Sequence, residues 1–364
     1  MRNYKDLISQ IEEWTKVDSK PFATRLRVAF EKYQNYVSNG ISYDGTGKNN
    51  DLLLERPLNV SIDSTFIAEI SNLCNNILNT YNDYNNGTIA KCIENNWWDQ
   101  YKENWSTHSE TASGINNVYY RMRSRVEGND THKTFTREEL FHIPFNRRDL
   151  IKPYRFSMIG MPCLYLGCSI YVCWEEMRRA SINNLMISAF KLSKGHTLKL
   201  LDLRLKREFE DEDSLKKYLQ TLPLIIACSF KTMSKAGVYI PEYVFPQLVM
   251  HLIVKDSVYN RKLDGVIYDT TQQEDDFKEV IRNNYRRIEN VAIPVYDVKD
   301  DGYCSKLCSM FELTEPTTTE YEDNKEPLRG YLPFPDGDYG NTIFWALEKR
   351  FENQDLYRKI ESLP

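Results

Sequence analysis

The segment RFSMIGMPCLYLGCSIYVCWEEM, residues 155–177, restricts the fold more than any other stretch of the chain. It reads as an extended start, a turn at Gly160 and Pro162, an apolar strand CLYLGCS and then a helix ending in two adjacent glutamates. A strand that feeds directly into a helix commits this part of the chain to a layer of helix on sheet. It also sets Tyr165 and the carboxylates of Glu175 and Glu176 at the two ends of an apolar run.

The surrounding residues from 111 onward have the same mixed texture. NNVYYRMRSRV alternates as a strand does, and NLMISAFKL, HTLKLLDLRL, LDGVIYDTT and ENVAIPVYDV are further strands. DSLKKYLQTLPLIIACSF reads as a helix, and so does IPEYVFPQLVMHLIVKDS, with Pro241 near its first turn and Pro246 at an early-turn or kink position. Strands and helices follow one another without a strict βαβ rhythm, so the expected class is α+β and not a doubly wound sheet. Neither GxGxxG nor a Walker sequence occurs, which removes the usual dinucleotide and P-loop cradles.

Residues 1–110 read as a mainly helical regulatory or assembly domain. PFATRLRVAFEKYQNYV and SIDSTFIAEISNLCNNILNTYNDY carry apolar residues at spacings of three and four, the second with Ser61 or Asp63 as its cap. The turn-rich SNGISYDGTGKNNDL between them reads as a loop. AKCIENNWWDQYKENW reads as a third helix whose Trp97, Trp98 and Trp105 pack against the next domain. Residues 111–315 form the expected catalytic domain. In 316–364 a Pro-, Thr- and acid-rich linker precedes a terminal helix capped by Asn341 or Thr342, with a role in packing or association.

Composition narrows the class. The 364 residues are 41% hydrophobic and 27% charged, a globular balance, and the net charge of -5 gives no general case for nucleic acid or anionic membrane as partner. No run reaches the ~18 apolar residues of a membrane span, and the N-terminus lacks the apolar stretch of a signal peptide. Six of the eight cysteines lie in apolar stretches, and the five histidines form no HxH or HxxxH pair. The expectation is a cytoplasmic protein with reduced thiols and no metal.

Read from the residues alone, each chemical candidate has an ordinary alternative. Arg121 is equally a surface charge on a strand, Tyr165 a core ring, and Arg155 with Ser157 an ion pair and a turn hydrogen bond. Neighbouring helical residues diverge by about 100°, so at most one of Glu175 and Glu176 faces a given pocket.

Four pieces together, YYRMR at 119–123, RFSMIGMPCLYLGCS at 155–169, VCWEEM, and YVFPQL…LDGVIYDTT near 243–271, resemble the RES family, founded on bacterial toxins. The resemblance covers residues 111–275, under half of the chain. It implies an ADP-ribosyltransferase-like mixed β core and NAD+ as substrate, with no resident cofactor. Position by position, the family's first arginine falls on Arg121, its LYL tyrosine on Tyr165, and its glutamate, eleven residues on, on Glu176. The family's serine falls on Thr270, which keeps a hydroxyl and adds a methyl.

The resemblance thus implies catalytic roles for Arg121, Tyr165, Glu176 and Thr270, and NAD+ contacts from Arg121, Arg155, Ser157, Tyr165 and Tyr268. Loss of nicotinamide leaves an oxocarbenium-like ribose that a carboxylate stabilises, an arginine suits the pyrophosphate, and an aromatic ring stacks on the charged pyridinium. The implied activity is depletion of NAD+ by hydrolysis or phosphorolysis in a toxin or defence effector. Its alternatives are mono-ADP-ribosylation of a protein, or an inactive binding protein of the same fold. Expected partners besides NAD+ are an antitoxin or regulatory protein and a second copy of the chain. On this phase Glu176 faces the ribose, Glu175 is its solvated or supporting neighbour, and Glu175→Gln is tolerated.

Overall fold

Apolar side chains three and four apart in FATRLRVAFEKYQNYV bury Leu26, Ala29, Phe30, Tyr33 and Val37 along one stripe of the Phe22–Val37 helix. The Ser64–Asn85 helix starts at Asp63, whose carboxylate accepts from the Phe66 amide at 2.8 Å. The computed structural model describes residues 1–44, 46–49, 52–55, 57–94, 97–102, 104–112, 118–126, 133–206, 208–232, 239–260, 263–272, 288–297, 299–328 and 339–360. Its fold is α+β.

Two compact units divide the chain. The first takes Met1–Thr107, Pro153–Phe156 and Leu201–Leu252, and is discontinuous where the sequence suggested contiguous segments ending at 110 and 315. The reason is packing. The Glu212–Ser229 helix, begun by an Asp211–Ser214 capping box, is buried without interruption from Thr221 to Cys228, and its Leu219 carbonyl takes the hydroxyl of Tyr33. A buried pair, Arg25 with Glu242, ties the Phe22–Val37 helix to the same downstream region. Two short helices, Ile89–Glu94 and Trp97–Lys102, replace the single helix expected there. Trp97 packs edge-on to Trp98 and to Phe245 inside this unit. The expected loop at 38–52 contains strands: Ile41–Tyr43 pairs with Leu58–Val60, and Thr46–Asn49 with Leu52–Glu55. Turn formers there separate short strands; they do not abolish them.

The second unit takes His108–Lys152, Ser157–Leu200 and Ile253–Pro364. Its sheet runs in the order Arg358–Lys359, Phe311–Leu313, Leu185–Leu192, Val118–Ser124, Cys163–Gly167, Glu289–Pro294, Gly265–Asp269, then Thr197–Asp202 and Thr107–Thr111. The pairings from Arg358–Lys359 to Gly265–Asp269 are antiparallel. One face carries Tyr119, Leu164, Leu166, Phe190, Ile267, Val291 and Ile293. The other carries Tyr120, Met122, Ile187 and Ala189 under Ile170, Tyr171 and Trp174 of the Ile170–Glu176 helix. A Cβ at Gly265 would meet the Ala292 carbonyl oxygen at 2.2 Å, so the glycine of LDGVIYDTT is what lets those two backbones approach.

Three further expectations change. RFSMIG forms no strand; Gly160 has φ +73°, and the Arg148 guanidinium holds its carbonyl, so the segment turns before it extends. The Pro- and Thr-rich linker contains the Thr317–Thr318 strand and the Thr319–Lys325 helix, while its residues 329–338 lie outside the described residues. The terminal helix, capped by Thr342, stops at Arg350, and Arg358–Lys359 adds an edge strand.

His142 is a structural histidine. Its Nδ1–H donates to the Ile143 carbonyl at 2.8 Å, Nε2 accepts from the Cys304 amide at 3.0 Å, and burial pushes its pKa down to about 4. Among the described residues, no group of three or more metal-ligating side chains occurs, and no helix is long and apolar enough to cross a membrane.

Candidate functional site

The site grows from the alternation of CLYLG. Leu164 and Leu166 enter the core on one face of the sheet, which turns Tyr165 to the other. Register then aligns two rows on that face. Tyr165 stands opposite Ala292, itself opposite Val266; Gly167 stands opposite Asn290, itself opposite Tyr268.

Gly167 decides what happens next. A Cβ there would lie 2.6 Å from both Cys173 Sγ and Val172 Cγ1, so only glycine lets the following helix seat directly on the strand. Ser169 starts that helix by accepting from the Val172 amide at 2.9 Å. From the terminal helix, Glu348 accepts from the Ile170 amide and from Tyr339 Oη, each at 2.8 Å. The turn back over the sheet thus returns the end of the helix to the strands that carry Tyr165. Gly167→Ala is expected to cost about 1–3 kcal/mol through forced displacement of the helix, measured as a lower midpoint of thermal unfolding. An unchanged midpoint means that the helix does not rest on this glycine.

The two glutamates part company as a helix requires. Glu175, 1% exposed, accepts from Tyr171 Oη and forms a two-nitrogen pair with Arg179, Nη2 to Oε1 at 2.9 Å and Nε to Oε2 at 3.2 Å. Glu176 is exposed, and its Oε1 accepts from Thr270 Oγ1 at 2.6 Å and from Asn290 Nδ2 at 2.8 Å. The sequence expected Glu175 to be solvated or supporting. It is the buried support, and Glu176 is the one water reaches. Burial pushes the Cys173 thiol up to about 12, with the nearby Glu176 charge adding to the effect, so this cysteine remains a neutral neighbour.

The helix ends in a Schellman turn: the Arg178 amide donates to the Glu175 carbonyl at 2.8 Å and the Arg179 amide to the Trp174 carbonyl at 3.0 Å. Arg178 and Arg179 stand there at φ +55° and +53°, a conformation that costs non-glycine residues about 1–2 kcal/mol each. The side chain of Arg179 on Glu175, and over the Trp174 ring at 5.5 Å, holds that turn.

The other sequence candidates fall in different places. Ser157 Oγ lies 2.8 Å from Tyr165 Oη and braces the half-buried ring. Tyr268 is buried in the row of Asn290. Thr270 uses its hydroxyl proton on Glu176, while its oxygen accepts from the Gln272 amide at 3.2 Å, which makes it a holder of the carboxylate. Arg121 leaves its strand on the side of Tyr119, opposite to Tyr120 and Met122, and its charge is felt at His142 and Cys173. Arg155 belongs to the first unit, where its guanidinium donates to the Cys228 and Phe230 carbonyls, both at 2.9 Å, and lies 5.0 Å from the Tyr243 ring centroid. A cation on the last carbonyls of the Glu212–Ser229 helix complements the helix dipole. Asn290 was missed. Its signal was one amide side chain inside the apolar run of ENVAIP, where a strand disfavours asparagine and burial demands a partner.

A carboxylate held by two neutral donors on an exposed residue suits stabilisation of a developing positive charge on a bound ligand. A cleft of about 450 Å³ elsewhere in this unit, lined by Arg125, Met186, Tyr321, Lys325 and Phe351 among others, does not include these groups.

The chain is 29% identical over 324 residues to "Putative toxin YopC" of Bacillus subtilis (strain 168). That alignment takes in 80% of this chain and 70% of the relative, so it runs through both units. No protein-family model matches the chain, and no solved structure is significantly similar to it.

Proposed function

We propose that this protein is a toxin that consumes NAD+ by breaking the bond between nicotinamide and ribose. The observation that carries the reading is the Glu176 carboxylate, exposed and held at Oε1 by Thr270 and Asn290, on a helix packed against the sheet face that carries Tyr165. The likeness to a relative named as a toxin supports the biological half of it, and the resemblance of the 155–177 segment to RES proteins supports the chemical half.

In this reading the pyridinium of NAD+ stacks on Tyr165, whose hydroxyl is braced by Ser157. The C1′–N bond breaks with its electron pair leaving on nicotinamide, which departs neutral. Positive charge gathers on the ribose, and Glu176 stabilises it. Water then adds at C1′ and releases a proton, giving ADP-ribose; inorganic phosphate in the same place gives the 1-phosphate. No step is assigned to Arg121, whose strand carries it to the other face, or to Arg155, which binds helix carbonyls.

The full chain incubated with NAD+ is expected to release nicotinamide, and the second product, followed with and without phosphate, names the acceptor. Label from NAD+ that stays on a protein band selects mono-ADP-ribosylation. A chain inert in each of its oligomeric forms rules out the enzymatic reading.

A further inference from the structure

The Asn290 side chain is the second of the Glu289–Pro294 strand, between Glu289 and the apolar Val291, Ala292 and Ile293. It is 5% exposed, and its Nδ2 stands 2.8 Å from Glu176 Oε1. A carboxylate oxygen only accepts, so the amide must turn its NH2 toward it. Thr270 Oγ1–H reaches the same oxygen at 2.6 Å, from just past the end of Gly265–Asp269, the strand on the other side of Glu289–Pro294 to Cys163–Gly167. Oε1 is therefore gripped from two directions by groups fixed in the sheet, and the rotation of the carboxylate about its last bond is set by them. Both donors favour the ionised carboxylate over the protonated one, because a carboxylate accepts more strongly than a carboxylic acid.

We propose that Asn290 is a positioning residue: its amide fixes the orientation of the Glu176 carboxylate and keeps it ionised for the ribose cation. The inference rests on the proposed NAD+ chemistry for its catalytic consequence, and on the hydrogen bond alone for its effect on Glu176.

Among the described residues, several other titratable groups on the elements around Glu176 have partners of their own. On its own helix, Cys173 is a neutral thiol, and Glu175 is occupied by Arg179 and Tyr171. From the terminal helix, Glu348 is taken up by the Ile170 amide and by Tyr339. Asp269 and Glu289, opposite each other in register, leave their strands on the face of Ile267 and Val291; Arg121 leaves its own on that face too, and its charge still reaches Cys173, which also feels Glu176. Tyr268 shares the Asn290 row, but a phenol is uncharged through the range in which a carboxylate titrates. Thr270 and Asn290 are donors to Glu176 that come with the sheet.

The decisive measurement is the titration of Glu176 itself, followed by carbon-13 resonance of the full chain labelled at glutamate carboxyl carbons, with Glu176→Gln identifying the signal. In Asn290→Ala the midpoint is expected to rise by about one pH unit, the value of one charge-assisted donor. In Asn290→Asp, an acceptor of the same shape replaces the donor, and the two acids titrate as a coupled pair with one midpoint raised by about two units or more. A midpoint that stays in place in both variants overturns the proposal, whatever happens to turnover. For turnover of NAD+, kcat at neutral pH is expected to fall about 10-fold in Asn290→Ala and about 100-fold in Asn290→Asp, with KM within about 3-fold and the acid limb of the rate moved upward with the midpoint. A wild-type chain that does not cleave NAD+ removes the proposed function, and the titration still decides the role of Asn290.

Discussion

Glu176→Gln is expected to reduce nicotinamide release from NAD+ by about three orders of magnitude, the scale on which a preorganised charge opposite a transition-state charge operates. The substitution is close to isosteric. The glutamine carbonyl oxygen accepts from Thr270 Oγ1 and Asn290 Nδ2 as Oε1 does now, and its NH2 takes the place of Oε2 on an exposed residue. The fold therefore loses little, and the midpoint of thermal unfolding is expected to stay within about 2 °C, as for a surface substitution away from packing. What disappears is the negative charge. An amide dipole has no net charge to set against an oxocarbenium-like ribose, so the barrier rises while the binding of NAD+, which depends on stacking and on the rest of the dinucleotide, changes little. The expected signature is a fall in kcat with KM nearly constant. Retention of a tenth or more of wild-type kcat removes Glu176 from the chemistry.

How much of this could be read beforehand depends on how local its cause is. The divergence of Glu175 and Glu176 needs only helix geometry, and the choice of Glu176 came from the family resemblance, which sets the glutamate eleven residues after Tyr165. The Asp63 and Thr342 caps are also local, each reaching an amide three residues on. Which of the two glutamates is buried is not local in that sense, because it depends on how the helix seats on the sheet, and the Arg179 partner of Glu175 sits on a left-handed turn that no glycine announces. Arg155 was placed at the site together with Ser157 by the resemblance, yet the carbonyls that hold it come from residues 228 and 230. Asn290 lies 114 residues from Glu176, and only the sheet order brings them together. The strand–helix step at CLYLGCSIYVCWEEM was legible as a whole. Its enabling residue was not, since the crowding at Gly167 comes from Val172 and Cys173 folding back on it.

Glu175→Gln is expected to destabilise the second unit by about 2–4 kcal/mol, the lower part of the range for breaking a buried ion pair because the amide retains one acceptor. The sequence alone suggested tolerance, since a solvated glutamate costs little to neutralise. The structure removes that premise: Glu175 is 1% exposed and receives three hydrogen bonds from Arg179 nitrogens besides that from Tyr171 Oη. With glutamine in its place, the amide NH2 must point at either Tyr171 or Arg179, and a guanidinium that is 19% exposed loses its counter-charge. The same guanidinium is the side chain of a residue held at φ +53°, so release of Arg179 also releases the strained turn behind Glu176. For a unit of roughly 200 residues, the loss corresponds to a midpoint lower by about 5–15 °C. Because the turn fixes the end of the helix, turnover at a temperature where the variant is fully folded is expected to fall as well, less steeply than in Glu176→Gln. Arg179→Met separates the causes: it removes the charge together with the need for a partner only on one side, leaves Glu175 buried and uncompensated, and is expected to be no more stable than Glu175→Gln. The double variant Glu175→Gln, Arg179→Met leaves no buried charge and is expected to recover part of the loss, a coupling that two independent sites do not show. Strict additivity of the two substitutions, or a single variant as stable as the wild type, means that the pair contributes nothing to holding Glu176 in place.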